Sequence, residues 1–222
     1  MVTINYALLK KLPKVELHCH LDGCLRPESI LEVAKKDKVE LPSNQIDELS
    51  SYLKIGKKRG SLEDYIKRFD ITLSVMQTPE SLTRFAFELI EDVAKENIRY
   101  IEVRYSPILH TKKGMTLDMA VDSVKKGLKK GEKKFGVKSG IIICGIRHIS
   151  PETSLILADL TVRYKNKGVV GFDLAGSEEN FPAKEHREAF YLIRNHNINR
   201  TIHAGESFGP ASIRQAIHYC SA

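Results

Sequence analysis

The chain has 222 residues, 42% of them hydrophobic and 28% charged, values that exclude a disordered chain, a collagen-like repeat and a fibre. Its 35 Lys and Arg against 28 Asp and Glu give a net charge of +7. The basic residues are scattered and Trp is absent, so nothing resembles a stacking platform for nucleic acid.

The first strand is expected at Lys14–His18. A helical insertion follows over roughly Pro27 to Lys95, in which Leu82, Phe85, Ala86, Leu89, Ile90 and Val93 recur at helical spacing. The β-rich run Ile98–Tyr105 is the second strand and Pro107 ends it. A helix is expected from Thr116 to about Phe135. Its basic run, Lys125 to Lys134, reads as a solvated face. Strand Ile141–Ile146, helix Pro151–Lys165, strand Val169–Leu174, helix Pro182–His196 and strand Arg200–Ala204 come next. The last element is a helix opening near Pro210, since proline suits the first helical turn.

Strands alternating with helices indicate parallel βα units. An open doubly wound sheet is the default for five such strands, but no G-x-G-x-x-G follows the first strand and no phosphate-binding P-loop occurs anywhere. Polar residues instead mark successive strand ends: His18 and His20, Arg104 and Ser106, Arg147, Asp173, His203. That is the habit of a TIM (β/α)₈ barrel, which needs eight strands and about 250 residues. The expected fold is therefore about the first five βα units of such a barrel, one incomplete domain over residues 1–222. No apolar stretch reaches the length of a bilayer span, and no secretory leader is recognisable at the N-terminus. Cys19, Cys24, Cys144 and Cys220 include no C-x-x-C pair and read as reduced thiols of a cytoplasmic protein.

In His18-Cys19-His20 the strand alternation puts both imidazoles on one face, while Val15, Leu17 and Cys19 point the other way, ready to pack on helices. Two imidazoles so placed suit one zinc ion, although the same pattern also occurs as ordinary polar strand residues. His203 ends a later strand, Gly205 permits a tight turn, and Glu206 lies just beyond. A third imidazole would complete a three-histidine set, leaving Glu206 to move protons. Glu102, Arg104, Arg147 and Asp173 share the inward parity and read as a buried ion network, with a supporting role for Asp173 at the site as the alternative. His110, His148, His186, His196 and His218 have no partner motif and read as surface or core residues.

Lys14-Val15-Glu16-Leu17-His18-Cys19-His20-Leu21-Asp22-Gly23, together with His203-Ala204-Gly205-Glu206, resembles the adenosine and adenine deaminase family of zinc amidohydrolases. Glu102 to Pro107, Arg147-His148 and Asp173 to Glu178 extend the resemblance along the chain. It implies one zinc per chain held by His18, His20 and His203, and a proton-transferring Glu206. Asp22 is implied for the ribose 5′-hydroxyl with His20 lining the same region, Gly176 for purine N3 through its N–H, and Leu62, Tyr65, Ile66 and Phe69 for the ribose-side wall. The implied substrate is a small-molecule purine nucleoside, adenosine or 2′-deoxyadenosine, converted to inosine and ammonia in purine metabolism. Adenine or a modified adenosine is the alternative, and no nucleic acid or membrane partner is implied. The family also uses a histidine in a Gly-His-Gly context and an Asp-Asp pair, and neither occurs in residues 1–222. The 222-residue chain alone is therefore expected to be inactive, either as a piece of the enzyme or as a zinc-binding remnant.

Overall fold

Branched and aromatic side chains suit a pleated, two-sided buried surface, and the runs rich in them become strands. The computed structural model describes residues 5–54 and 66–222. Its sheet has β1 (Lys14–His20), β2 (Ile98–Tyr105), β3 (Lys138–Ile146), β4 (Val169–Ala175) and β5 (Asn199–Arg200), all parallel and adjacent in chain order. A doubly wound sheet reverses its order at a switch point, and this one does not; it has the winding of the first five units of a (β/α)₈ barrel.

β1, β3 and β4 each run longer than expected, because their ends pair in register with their neighbours. β5 is shorter. The expected strand over 200–204 is a two-residue ladder, after which Thr201 N–H donates to the Phe172 carbonyl at 3.0 Å and His203 N–H to the Leu174 carbonyl at 3.1 Å. Pairing on one side only leaves this edge free to depart from regular geometry while still following β4.

Before β1 lies α1 (Tyr6–Lys11); after it come α2 (Pro27–Asp37), α3 (Ile46–Leu53), α4 (Phe69–Val75) and α5 (Pro79–Lys95). Then follow α6 (Leu117–Phe135), α7 (Pro151–Arg163), α8 (Arg187–Asn195) and α9 (Gly209–Cys220). Their starts are written locally. Pro27, Pro79 and Pro151 fill first-turn positions, and the Thr78, Thr116 and Ser150 side chains accept from the N–H groups of Ser81, Met119 and Thr153. The expected helix from Pro182 begins instead as a 3₁₀ turn, Ala183–His186, before α8. α5 packs against α6 so closely that a Cβ on Gly127 would lie 2.2 Å from the Thr83 carbonyl oxygen, which requires glycine there.

The main core lies between helices and sheet, with Ile101, Val103, Ile141, Ile143, Phe172 and Leu174 facing Leu82, Phe85, Val124, Leu157 and Phe190. A smaller cluster, Cys144, Ile146 and Ala175 with Leu109, lies apart from it. Val15 and Leu17, expected to pack on helices, are instead 61% and 53% exposed: β1 shifts register between Lys14 and Val15 and again between Glu16 and Cys19, so that Val15 pairs with Tyr100, on the Arg104 side of β2. Cys19 is half-buried against the main core, and all four cysteines are free thiols. Lys126, Lys129, Lys130, Lys133 and Lys134 of α6 are exposed.

His110 is fully buried after β2, its Nδ1 donating to the Met76 carbonyl at 2.9 Å. Burial lowers its pKa to about 4, against the opposing pull of that hydrogen bond. The folded chain keeps this imidazole neutral, whereas the unfolded chain takes up a proton below about pH 6.5. Its stabilising share is therefore whole above pH 6.5 and falls as pH drops toward 4, by about 3 kcal/mol in all. His110→Asn keeps a donor for Met76 and removes the titration. Urea denaturation at pH 7.5 and 5 is expected to show a smaller acid loss in this variant; an equal loss places the acid sensitivity elsewhere.

Candidate active site

Parallel register decides which side chains meet. His20 is paired with Arg104 and Asp173 with Cys144, so these side chains share the inner face of the sheet at its C-terminal end. His18 and His20 come from one side of β1, their ring centroids 5.4 Å apart. His203 arrives from beyond β5, 185 residues after His18, and its Nε2 lies 2.9 Å from His18 Nε2 and 3.0 Å from His20 Nε2.

Asp173 sets the orientation of His203. Its carboxylate is fully buried and its Oδ2 faces His203 Nδ1 at 2.9 Å. Oδ2 also accepts from Arg104 Nη1 at 3.1 Å, and Oδ1 accepts from Thr201 Oγ1 at 3.0 Å. The other Arg104 nitrogen, Nη2, donates to the Leu17 carbonyl at 2.8 Å, just before His18. One buried ion pair therefore ties the strand carrying His18 and His20 to the imidazole of His203. Burial pushes the Asp173 carboxyl up, but His203, Arg104 and Thr201 outweigh it and hold the group well below the usual carboxylate range.

The two strand histidines stay neutral. Burial lowers His20 to about 4 with His203 adding to the effect, and burial likewise lowers His18. Burial also works against a proton on His203, but Asp173 outweighs it and raises its pKa. With Asp173 engaging Nδ1, the Nε2 of His203 is left to face the other two. Three imidazole nitrogens within hydrogen-bond distance of one another, with no carboxylate between them, make a set of donor atoms that one cation could join. His18, His20 and His203 thus fit a borderline-soft divalent ion, and the carboxylate behind His203 is the usual outer partner of such a ligand.

These rings form one wall of a cavity of about 410 Å³. Ile66, Phe69, Leu73, Leu109, Ile146 and Ala175 make its apolar lining, and Asp22, Asp70, His148, Gly176 and Glu206 its polar points. Of the four wall residues expected, Ile66 and Phe69 line it, while Leu62 and Tyr65 lie outside the described residues. Asp22 is buried, and its Oδ1 has no hydrogen-bond partner among the described residues. Burial raises its carboxyl to about 7 against the N–H groups of Asp22 and Gly23. Gly176 has φ +97°, and a Cβ there would approach His148 Nδ1 to 2.9 Å. The backbone is bare at that point of the cavity as a consequence. A larger groove of about 690 Å³, between the α5 segment Pro79–Phe87 and the α6 segment Met119–Lys130, gathers no comparable set.

Asp70, His148, Leu73, Leu109, Ile146 and Ala175 were not expected at the site. A lone histidine after β3 has no spacing partner to single it out, although Arg147-His148 sits at a strand end, where barrels place function. Of the expected ion network, Arg104 and Asp173 pair as above. Arg147 donates to the His203 and Phe181 carbonyls and lies 3.8 Å from Glu178. Glu102 instead accepts from its strand neighbour Tyr100 at 3.0 Å.

A family profile described as Adenosine deaminase matches residues 13–222. An adenosine deaminase from Clostridium kluyveri is 40% identical over 215 residues, covering 97% of this chain and 62% of that protein. Among solved structures, the adenine deaminase of Arthrobacter aurescens superposes with a TM-score of 0.84 at 25% identity, over 94% of this chain and 62% of its own. The Arabidopsis N6-mAMP deaminase superposes with a TM-score of 0.82 at 25% identity, over 96% and 65%. The chain thus spans less than two thirds of each of these proteins.

Proposed function

We propose, since this chain belongs to the adenosine deaminase family, that the protein carrying it removes the 6-amino group of adenosine and 2′-deoxyadenosine by hydrolysis, giving inosine and ammonia. The observation that carries this reading is the convergence of His18, His20 and His203 at the wall of a cavity that Glu206 also lines. These three histidines would hold one zinc ion. When bound, zinc supplies Lewis-acid chemistry that brings the pKa of water from about 15.7 to roughly 7.

The chain's own residues do the rest. Glu206 gives a proton to purine N1, takes one from the hydroxyl that water adds at C6 as it becomes the carbonyl, and passes it to the 6-amino group as ammonia departs; positioned acid–base help of this kind contributes about 10²- to 10⁴-fold. Asp22, a buried carboxyl with an unpartnered oxygen, takes the ribose 5′-hydroxyl. Gly176 lets its N–H approach purine N3. Ile66 and Phe69 keep water from the ribose side. Asp173 holds His203 in the tautomer that leaves Nε2 free to ligate. We place the reaction in purine metabolism and in the cytoplasm, where four free thiols stay reduced. No helix among the described residues is long and apolar enough to cross a membrane.

Adenine and N6-mAMP, the substrates named for the two structural neighbours, are the competing choices. The test is ammonia release by the zinc-loaded whole protein from adenosine, adenine and N6-mAMP. Adenosine is expected to lead in kcat/KM, by about 10⁴-fold over adenine, since a site built to hydrogen-bond a hydroxyl rejects an analogue lacking it on that scale. A lead for adenine or N6-mAMP reassigns the substrate. The 222-residue chain alone is expected to release none above background.

A further inference from the structure

Glu178 belongs to no part of the chemistry above, yet it is a carboxylate only 2% exposed, just after β4. Its Oε1 accepts from Gly205 N–H at 2.7 Å and from Ser212 Oγ at 2.5 Å. Its Oε2 accepts from Ser207 N–H at 2.6 Å and Phe208 N–H at 3.0 Å. The amides on either side of Glu206 are thus bound by the two oxygens of one side chain. Residues 205–208 are otherwise exposed, so this carboxylate is their principal anchor. Arg147 sits 3.8 Å from Glu178 and donates to the carbonyl of His203, so the same buried pair also fixes the residue that opens the loop.

An ionised carboxylate only accepts hydrogen bonds, and burying one is costly unless donors surround it. Here the donors are three backbone amides and one hydroxyl turned toward a common centre, an arrangement that suits an anion. Burial pushes the Glu178 carboxyl up, and its four donors outweigh that and hold it below its ordinary value.

We propose that Glu178 is a positioning residue that fixes the loop 205–208 so that Glu206 faces the reacting purine. This rests on the reading of Glu206 as the proton-transferring group. Glu178 touches neither substrate nor metal in this role; it acts through Glu206. Displacing a reacting group by about 1 Å costs on the order of 100-fold in rate.

Glu178→Gln is the test, in the zinc-loaded whole protein and beside Glu206→Gln. It preserves shape but turns its amide NH2, itself a donor, toward two of the donors. Expected are a kcat about 100-fold lower, KM for adenosine within threefold, full zinc content, and faster amide exchange at Ser207 and Phe208. In the double variant the loss should equal that of Glu206→Gln alone, since a residue acting only through Glu206 has nothing further to remove. A merely structural residue would instead add its loss to that of Glu206. Where Glu206→Gln abolishes turnover and Glu178→Gln stays within threefold, or exchange at the two amides is unchanged, Glu178 has no such role. Additive losses in the double variant also overturn it. Where Glu206→Gln keeps its kcat, the reading of Glu206 fails and this inference fails with it. If Glu178→Gln does not fold, Glu178→Asp decides: it keeps the charge but is one methylene short. A kcat about tenfold lower with zinc retained supports the role, and an unchanged kcat removes it.

Discussion

Glu206→Gln in the zinc-loaded whole protein is expected to lower kcat by about 10²- to 10⁴-fold and to leave the zinc content at one per chain. The separation of the two readouts follows from the geometry. Three Nε2 atoms already converge without Glu206, and the glutamate lies in the following loop, at the cavity rather than within the cluster. Gln has nearly the same volume and keeps a hydrogen-bonding oxygen, but it has no proton to give to purine N1. Metal analysis and turnover on the same preparation read the two quantities together. Loss of zinc along with activity would make Glu206 a ligand, and unchanged kcat would take it out of proton transfer altogether.

The largest effect on stability is expected at Asp173, far from solvent. Asp173→Ala removes the partner of Arg104, whose side chain is almost wholly buried, together with the acceptors that face His203 and Thr201. Breaking a buried pair by removing one member leaves an uncompensated charge, at about 3–5 kcal/mol. The same change frees the imidazole of His203 to rotate and change tautomer, and loss of such an outer partner weakens metal affinity about 10- to 100-fold. Denaturant titration of the metal-free protein reads the first quantity and competition with a zinc chelator the second. A destabilisation under 1 kcal/mol would mean that Arg104 finds another partner, with Leu17 its existing one. Unaltered zinc affinity would mean that His203 is oriented by its backbone bond to Leu174 instead.

Much of this site was legible in the sequence because its parts are carried by periodicity. His18-x-His20 reads as one face of a strand in any parallel sheet, and His203 stands at the end of another apolar run. The inward parity of Arg104 and Asp173 also follows from counting alone. What counting misses is partnership across the sheet: only the register reveals that Arg104 meets Asp173 over β3 while Glu102 turns to Tyr100. Glu178 was visible within a motif but had no role, since three of its four donors are backbone amides some thirty positions onward, and amides carry no signature. β5 was overestimated for a related reason. Thr201 to Ala204 has strand composition, but with β4 on one side only, the ladder stops at Arg200 and the chain keeps single bonds to β4 thereafter. At the opposite edge, two register shifts in β1 break the alternation that counting assumes, and Val15 pairs with Tyr100 instead of facing the helices.

The 185 positions between His18 and His203 also set a timetable for biosynthesis. A ribosome adds about 5–20 residues each second, so on the order of ten to forty seconds separate His18 from His203. During that interval a nascent chain has two of the three site imidazoles and no Asp173–His203 contact. Zinc captured early would be held by β1 alone. Only when the segment after β5 has followed β4 into place would the ion bridge β1 to the end of β5, so that metal retention would report assembly of the five-strand arc.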